Sequence, residues 1–142
     1  DKVNAKNPEL MRWRFIMAQK IRSLGSEGVS EYGRVSHQEL AKAMRGIKVW
    51  AYPTEFTEIH CITALKAQEA GCIPVTTDCY ALEETVHDKN YSVKCEDIYS
   101  NKEKQAEFIQ KLVAALKSGH QTKPVPNVDW SDVAQVWDKA LR

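Results

Sequence analysis

A surplus of charge of either sign is absent from this chain. Its 20 Lys and Arg residues stand against 19 Asp and Glu, for a net charge of +1. The electrostatic case for a nucleic-acid partner or an acidic membrane surface falls away, and no nucleic acid is expected among its partners. No apolar run approaches the roughly 20 residues that cross a bilayer. The opening Asp1-Lys2-Val3-Asn4 is polar, so no leader peptide is expected. Cysteines are few: Cys61, Cys72, Cys79 and Cys95. None forms a Cys-x-x-Cys pair and no His stands at zinc-finger spacing from them, which argues against a metal centre. Most lie in or beside apolar segments, and they read as reduced, half-buried thiols of a cytoplasmic protein. Also missing are internal repeats, a Gly-rich phosphate loop and an Asp-x-Asp triplet to hold a divalent cation.

What remains is ordinary globular composition, 43% apolar and 27% charged over 142 residues, the size of one domain or a large part of one. Asn7-Pro8 is a helix start, since Asn caps free amides and Pro tolerates the first helical position. Leu10, Trp13, Met17, Ile21 and Leu24 then recur at helical spacing up to Gly25. Gly28 to Tyr32 reads as a short strand. Ser36-His37-Gln38-Glu39 is a capping box opening a short helix that Gly46 ends. Ile47 to Tyr52 reads as a strand stopped by Pro53. After the loop Thr54-Glu55-Phe56-Thr57, a helix is expected from about Glu58 to Gly71. Cys72 to Thr76 and Tyr91 to Val93 read as brief strands, with a short helix holding Leu82 and Val86 between them. Asn101 to Ser118 is amphipathic, with Phe108, Ile109, Leu112, Ala115 and Leu116 on one face. A polar linker with Pro124 and Pro126 leads to a closing helix over about 129–142, whose Trp130 and Trp137 read as packing anchors.

Alternating strands and helices predict an α/β fold: a Rossmann-like parallel sheet with helices on both faces. Ligands of such sheets bind where strands end and helices begin. Two loops therefore merit attention, Gly33 to Ser36 and Pro53 to Cys61. In the second, the amides around Ile59, His60, Cys61 and Ile62 would form an anion site at a helix mouth, with Thr63 adding a hydroxyl. Glu55 and Glu58 stand at the same end. Acids beside an anion site suit a ligand bearing hydroxyls as well as phosphates, as a sugar nucleotide does. The plainer alternative is that Thr57 and Glu58 only cap the helix. His60 is either a donor to the ligand or a helix-surface histidine. Thr76-Thr77-Asp78 follows a strand end and is a lesser candidate, as is Tyr80. His37 reads as solvated, and His87 and His120 as loop residues.

The run Trp50 to Glu58, followed by Ile62 to Val75, resembles the signature region of retaining GT-B glycosyltransferases of the glycogen-synthase and mannosyltransferase type. Weaker similarities are the Gly33-Arg34-Val35-Ser36 turn, Ala81 to Val86, and the closing helix from Trp130 to Trp137. The resemblance implies the later part of the second, donor-binding domain of such an enzyme. That domain would bind a nucleotide-diphosphate sugar and transfer its hexose to an acceptor with retention of configuration. No metal or other cofactor is implied. Carried over, Glu58 matches the first acid of the family's Glu-x7-Glu motif and would touch the transferred sugar as the catalytic residue. Ile59, His60, Cys61, Ile62 and Thr63 would meet sugar and diphosphate, and Val35 and Ser36 would border the base. The second acid, which holds the ribose, falls on Lys66. Lysine cannot accept those hydrogen bonds, so it donates to ribose or phosphate oxygens, or Gln68 or a neighbour substitutes. The Gly-Phe-Gly usual after the first acid is Ile59-His60-Cys61 here. The opening strand of the domain and the acceptor-binding first domain are not seen, so a piece of a longer enzyme is expected, reaching a glycan or lipid acceptor through the missing domain. It would be cytoplasmic or peripheral at a membrane, and self-association would cover an exposed sheet edge. Lys66 also leaves open a non-catalytic sugar-nucleotide or interaction module of the same fold. An unrelated flavodoxin-like regulator fits less well, for want of a phosphoacceptor Asp context.

Overall fold

A computed structural model describes residues 7–122, 125 and 129–142, apart from the side chain of Trp130; the expected Pro124 and Pro126 linker lies outside them. The chain divides into two compact units, Asp1–Ser36 and His37–Arg142.

In the first unit, α1 (Pro8–Ser23) begins as its sequence requires. The Asn7 side chain accepts from the amides of Glu9 at 3.1 Å and Leu10 at 3.2 Å, with Pro8 in the first turn. Leu10 and Met17 are half-buried, while Trp13, Ile21 and Leu24 are exposed. A single 3-10 turn, Gly25–Glu27, follows and ends on Gly28 at φ +90°. The strand expected over Gly28 to Tyr32 is not formed. Val29 and Tyr32 are its only large apolar residues, and both are exposed. A strand without a burying face or a neighbour has nothing to hold it.

The second unit is mixed α/β. It contains α2 (His37–Met44), β1 (Val49–Tyr52), α3 (Ile62–Glu69), β2 (Ile73–Thr76), α4 (Leu82–Thr85), α5 (Lys102–Lys117) and α6 (Trp130–Leu141). Strands β1 and β2 pair in parallel, Val49 opposite Ile73 and Tyr52 opposite Thr76. Beyond them the expected Tyr91-Ser92-Val93 strand contributes only one parallel bridge, Thr77 to Val93. Among the described residues the sheet thus has two strands.

Strand alternation sorts the core onto two sides. Val49, Ile73 and Val75 pack with Val93, Ile98, Phe108, Leu112 and Ala115, which places α5 on one face. Trp50 and Tyr52 turn the other way, to Cys61, Ala64, Leu82 and Val86, and Trp50 also meets Met44, Ala67 and Cys72. Ala64 and Ala67 are wholly buried; their small side chains let α3 lie close against the strands. Lys48 secures the α5 side by donating to the carbonyls of Leu116 at 2.7 Å and Ser118 at 2.6 Å, the carbonyl end where a cation is favoured.

Helix α6 opens with a full capping box between Asp129 and Asp132. Trp137, expected as a packing anchor, is 65% exposed, as Leu141 is 79%; among the described side chains of that face Val133 alone is half-buried. Among the described residues no helix is long and apolar enough to cross a membrane.

The cysteines differ from expectation. Cys79 and Cys95 form a disulfide, leaving Cys61 and Cys72 free and buried. The cause is register. Thr77 and Val93 pair in parallel, so the residues two further along each segment fall side by side, with Cα atoms 5.0 Å apart.

Candidate functional site

The expected helix mouth is displaced along the chain. Helix α3 starts at Ile62, four residues after Glu58. Glu58 instead lies in the loop before it, where its amide turns back to Phe56 O at 2.8 Å and its carbonyl accepts from Ala81 N at 3.4 Å. The reason is local: Ile62 N turns back to His60 O at 3.0 Å, and Ala64 N and Leu65 N to Cys61 O, so regular helix begins only there. Glu58 therefore does not cap the helix. The N-cap is Cys61, without a side-chain capping bond. Burial raises the Cys61 thiol above its ordinary pKa, against the amides of Ala64 and Thr63, and the nearby Glu58 adds to the rise. Burial raises Cys72 in the same way. Both stay protonated thiols at neutral pH.

The Glu58 carboxylate is half-buried and oriented. Tyr52, the last residue of β1, donates its hydroxyl to Glu58 Oε1 at 3.0 Å. Burial raises the Tyr52 phenol above its usual pKa; Thr54 opposes that shift and Glu58 reinforces it. The hydroxyl thus remains a donor, and one carboxylate oxygen is fixed.

The loop ahead of Glu58 is tied from behind. Thr54 is buried, and its carbonyl accepts from the Thr77 hydroxyl at 2.5 Å. Its hydroxyl lies 3.2 Å from Tyr99 Oη and accepts from Phe56 N at 3.0 Å. Glu55 N donates to Tyr99 Oη at 3.1 Å, and Tyr99 N returns a bond to Glu55 Oε1 at 2.7 Å. Glu55 is thus spent on the loop itself.

Alongside α3 runs a groove of about 1040 Å³. His60 and Lys66 stand in its wall, joined by His37, Arg45, His87 and Glu69, with Met44, Leu65 and Val133 as apolar floor. Lys66 Nζ lies 3.1 Å from His37 Nδ1; an ammonium can only donate, so the imidazole nitrogen accepts. Glu58 does not line this groove. Of the other candidates, Ile59, Ile62 and Thr63 are exposed, Ile59 to 94%, and Cys61 is buried. Val35 and Ser36 belong to the first unit. No family model and no curated protein matches the chain. The geometry of the second unit is therefore what a functional reading rests on.

Several lesser candidates are committed to structure. Gln68, considered as a stand-in for the missing acid, is wholly buried. Its amide donates to Ala64 O and Thr85 O and accepts from His87 N, leaving no group to reach a ribose. Thr76 and Thr77 are fully buried. Burial pushes the Asp78 carboxyl up, but Lys94 at 2.6 Å and the Cys95 amide at 2.8 Å outweigh that and hold it below its ordinary value. Tyr80 is exposed at φ +46°. His120 pairs with Asp88 and stands edge-on to Tyr91. Tyr52, Tyr99 and the groove residues His37, Arg45 and His87 were not singled out as site residues from sequence. The one readable signal was Tyr52, a phenol at the strand end that meets the acid loop.

Proposed function

We propose that the second unit is the donor-binding part of a retaining glycosyltransferase, Rossmann-like in fold, that takes a nucleotide-diphosphate sugar. The observation that carries this reading is the groove along α3, whose lining brings His60 and Lys66 together with Arg45, two cations and an imidazole among apolar side chains, with the carboxylates of Glu69 and Asp129 in the same lining. Cations over an apolar floor suit a ligand with a charged phosphate part and an uncharged base or sugar part. Glu58 lies outside that groove, held by Tyr52 two residues before His60, so on this reading the sugar projects from the groove past His60 and offers a hydroxyl to Glu58. Charge building on the leaving diphosphate would be met by the cations of Lys66 and Arg45. The acceptor, glycan or lipid, would be presented by a separate domain, in the cytoplasm or at a membrane face.

One specific observation favours a second reading, a non-catalytic sugar-nucleotide module. Lys66 stands where the family places an acid, and its ammonium is engaged by His37.

The test is a titration of UDP-, GDP- and ADP-sugars into the chain, followed by NMR. Shifts centred on His60, Lys66 and His37 at millimolar ligand are expected for one base, and silence in all three series refutes the reading. Glu58→Ala should weaken a nucleotide sugar about tenfold or more while leaving the free nucleotide unaffected, as loss of a charged hydrogen bond is worth about 1.5–3 kcal/mol. Equal losses for both would remove Glu58 from sugar contact.

A further inference from the structure

The loop that carries Glu58 is flanked by aromatic side chains that the fold holds without burying, and we infer that they form a saccharide platform, the place of a glycan acceptor. Tyr99 is the clearest of them. It is 63% exposed, yet it is tied at its hydroxyl, amide and carbonyl. The hydroxyl lies 3.2 Å from the Thr54 hydroxyl and accepts from Glu55 N at 3.1 Å. The amide donates to Glu55 Oε1 at 2.7 Å, and the carbonyl accepts from Gln105 Nε2 at 3.0 Å. Its neighbour Ile98 is buried and seats the turn. A ring fixed at its far end and open to solvent loses little freedom when a ligand lies on it.

Two more exposed rings stand on this loop and beside it. Phe56 follows Glu55 directly, with its amide bonded to the Thr54 hydroxyl at 3.0 Å. Tyr80 is brought to the acid because Ala81 N donates to Glu58 O at 3.4 Å. Its backbone is left-handed at φ +46°, a conformation that bulky residues rarely adopt. None of the three rings lines the groove along α3. From Glu55, which meets Tyr99, to Glu58 is three residues, at most about 11 Å of chain, so a short oligosaccharide reaches both ring and acid.

The chemistry selects a neutral ligand rich in hydroxyls. The negative face of an aromatic ring attracts polarised C–H bonds, which the faces of a sugar ring present. The charged groups here are acids: Glu55 and Glu58, with Glu96 and Asp97 on the turn before Tyr99. Phosphates and anionic lipids are repelled by them. A purely apolar partner would strip water from the Glu58 carboxylate and give nothing in return. A cation is poorly served too, since Glu55 is bonded to Tyr99 N, Glu96 pairs with Lys104 and Glu58 holds the Tyr52 hydroxyl. The other oxygen of Glu58 can accept from a sugar hydroxyl. That the surface holds a saccharide stands on this chemistry alone. That the saccharide is the acceptor rests on the donor reading above, in which Glu58 stands between the two sugars.

The experiment is an NMR titration of the whole chain with maltohexaose, cellohexaose and mannohexaose, without nucleotide. Amide shifts at Phe56, Tyr80 and Tyr99 at millimolar ligand are expected in at least one series, with His37 and Lys66 unmoved. Tyr99→Ala should weaken that ligand about tenfold. Phe56→Ala removes a ring without removing a hydrogen-bonding group, and should weaken it about threefold or more with the rest of the spectrum unchanged. Silence in all three series overturns the inference, whether or not a nucleotide sugar binds at His60 and Lys66, so the two readings fail separately. So does an affinity that neither substitution changes. So do shifts at Phe56 and Tyr99 that come instead with phosphatidylcholine vesicles or with rising protein concentration, which would mark a membrane or a second copy of the chain as the occupant.

Discussion

Replacing Gln68 by Met tests how the second unit is held together. Gln68 is fully buried and joins α3 to the end of α4 and the residues just beyond it by two bonds of 2.8 Å, from its Nε2 to Thr85 O and from His87 N to its Oε1. Methionine matches its length and shape, so no cavity opens, and the loss is confined to partners left without hydrogen bonds. A buried orphan costs about 1–3 kcal/mol. Thr85 is buried and lies in the upper part of that range, whereas His87 is exposed and its amide can turn to water. The sum is about 3 kcal/mol. With a urea slope of roughly 1.5 kcal/mol/M for a unit of this size, the midpoint should fall by about 2 M. Gln68→Glu supplies the internal control. Burial raises a carboxyl's pKa, so this variant should be most stable at acidic pH, where the protonated acid can donate to Thr85 O and accept from His87 N. It should lose stability as the pH rises through its raised pKa. A Gln68→Met loss below about 1 kcal/mol, or a Gln68→Glu variant insensitive to pH, would refute this account of the junction.

Other expectations follow from single features. Gly71 sits at φ +85° with nothing near its would-be side chain, so Gly71→Ala should cost about 1–2 kcal/mol from backbone strain alone, read as a urea midpoint; an unchanged midpoint contradicts it. The Asp78 carboxyl lies below its usual pKa in the fold, so its contribution is present above the unfolded value near 4 and lost as pH falls through the folded one. Asp78→Asn should flatten the acid limb of the stability curve, and an unchanged limb would exclude that origin. Lys48→Met removes the cation from the end of α5 and should lower the thermal midpoint by about 1–2 kcal/mol equivalent. Closing the Cys79–Cys95 loop, with a sequence separation of 16, is worth about 3 kcal/mol through the unfolded chain; Cys79→Ser/Cys95→Ser should lose about that much stability in a urea titration, and an unchanged midpoint contradicts it.

Periodic and capped elements were legible in the sequence, and solitary ones were not. Helix α5 lies within one residue of its expected ends at each side, because Asn101 caps it and a continuous apolar stripe runs beneath. Strands β1 and β2 lie within the expected Ile47 to Tyr52 and Cys72 to Thr76, starting two residues and one residue later respectively. The Gly28 to Tyr32 strand failed because a pattern of five residues says nothing of whether a neighbour exists. Helix α3 starts four residues after the expected Glu58, since Glu58 resembles a first-turn acid and the His60–Ile62 turn leaves no compositional mark. The disulfide was hidden for the same reason: it depends on the parallel register of Thr77 and Val93, a long-range fact that a spacing of 16 does not encode. Of the site residues, His60 and Lys66 share a groove wall, while Val35 and Ser36 belong to the other unit. His37 is exposed, in keeping with its reading as solvated, and its meeting with Lys66 across 29 positions comes through tertiary contact alone.

The parallel pairing of β1 with β2 also bears on how the molecule acquires its shape. Two parallel neighbours cannot be joined by a tight hairpin; the chain must first travel the length of α3 and return. The strands therefore have little reason to associate until Ala64 and Ala67 have settled onto Trp50 and its neighbours. Helix docking and strand zipping become a single kinetic event. Substitutions at Ala64, Ala67 and Val75 should slow refolding as well as hasten unfolding, whereas those on the solvent side of α6 should register in neither arm of a chevron.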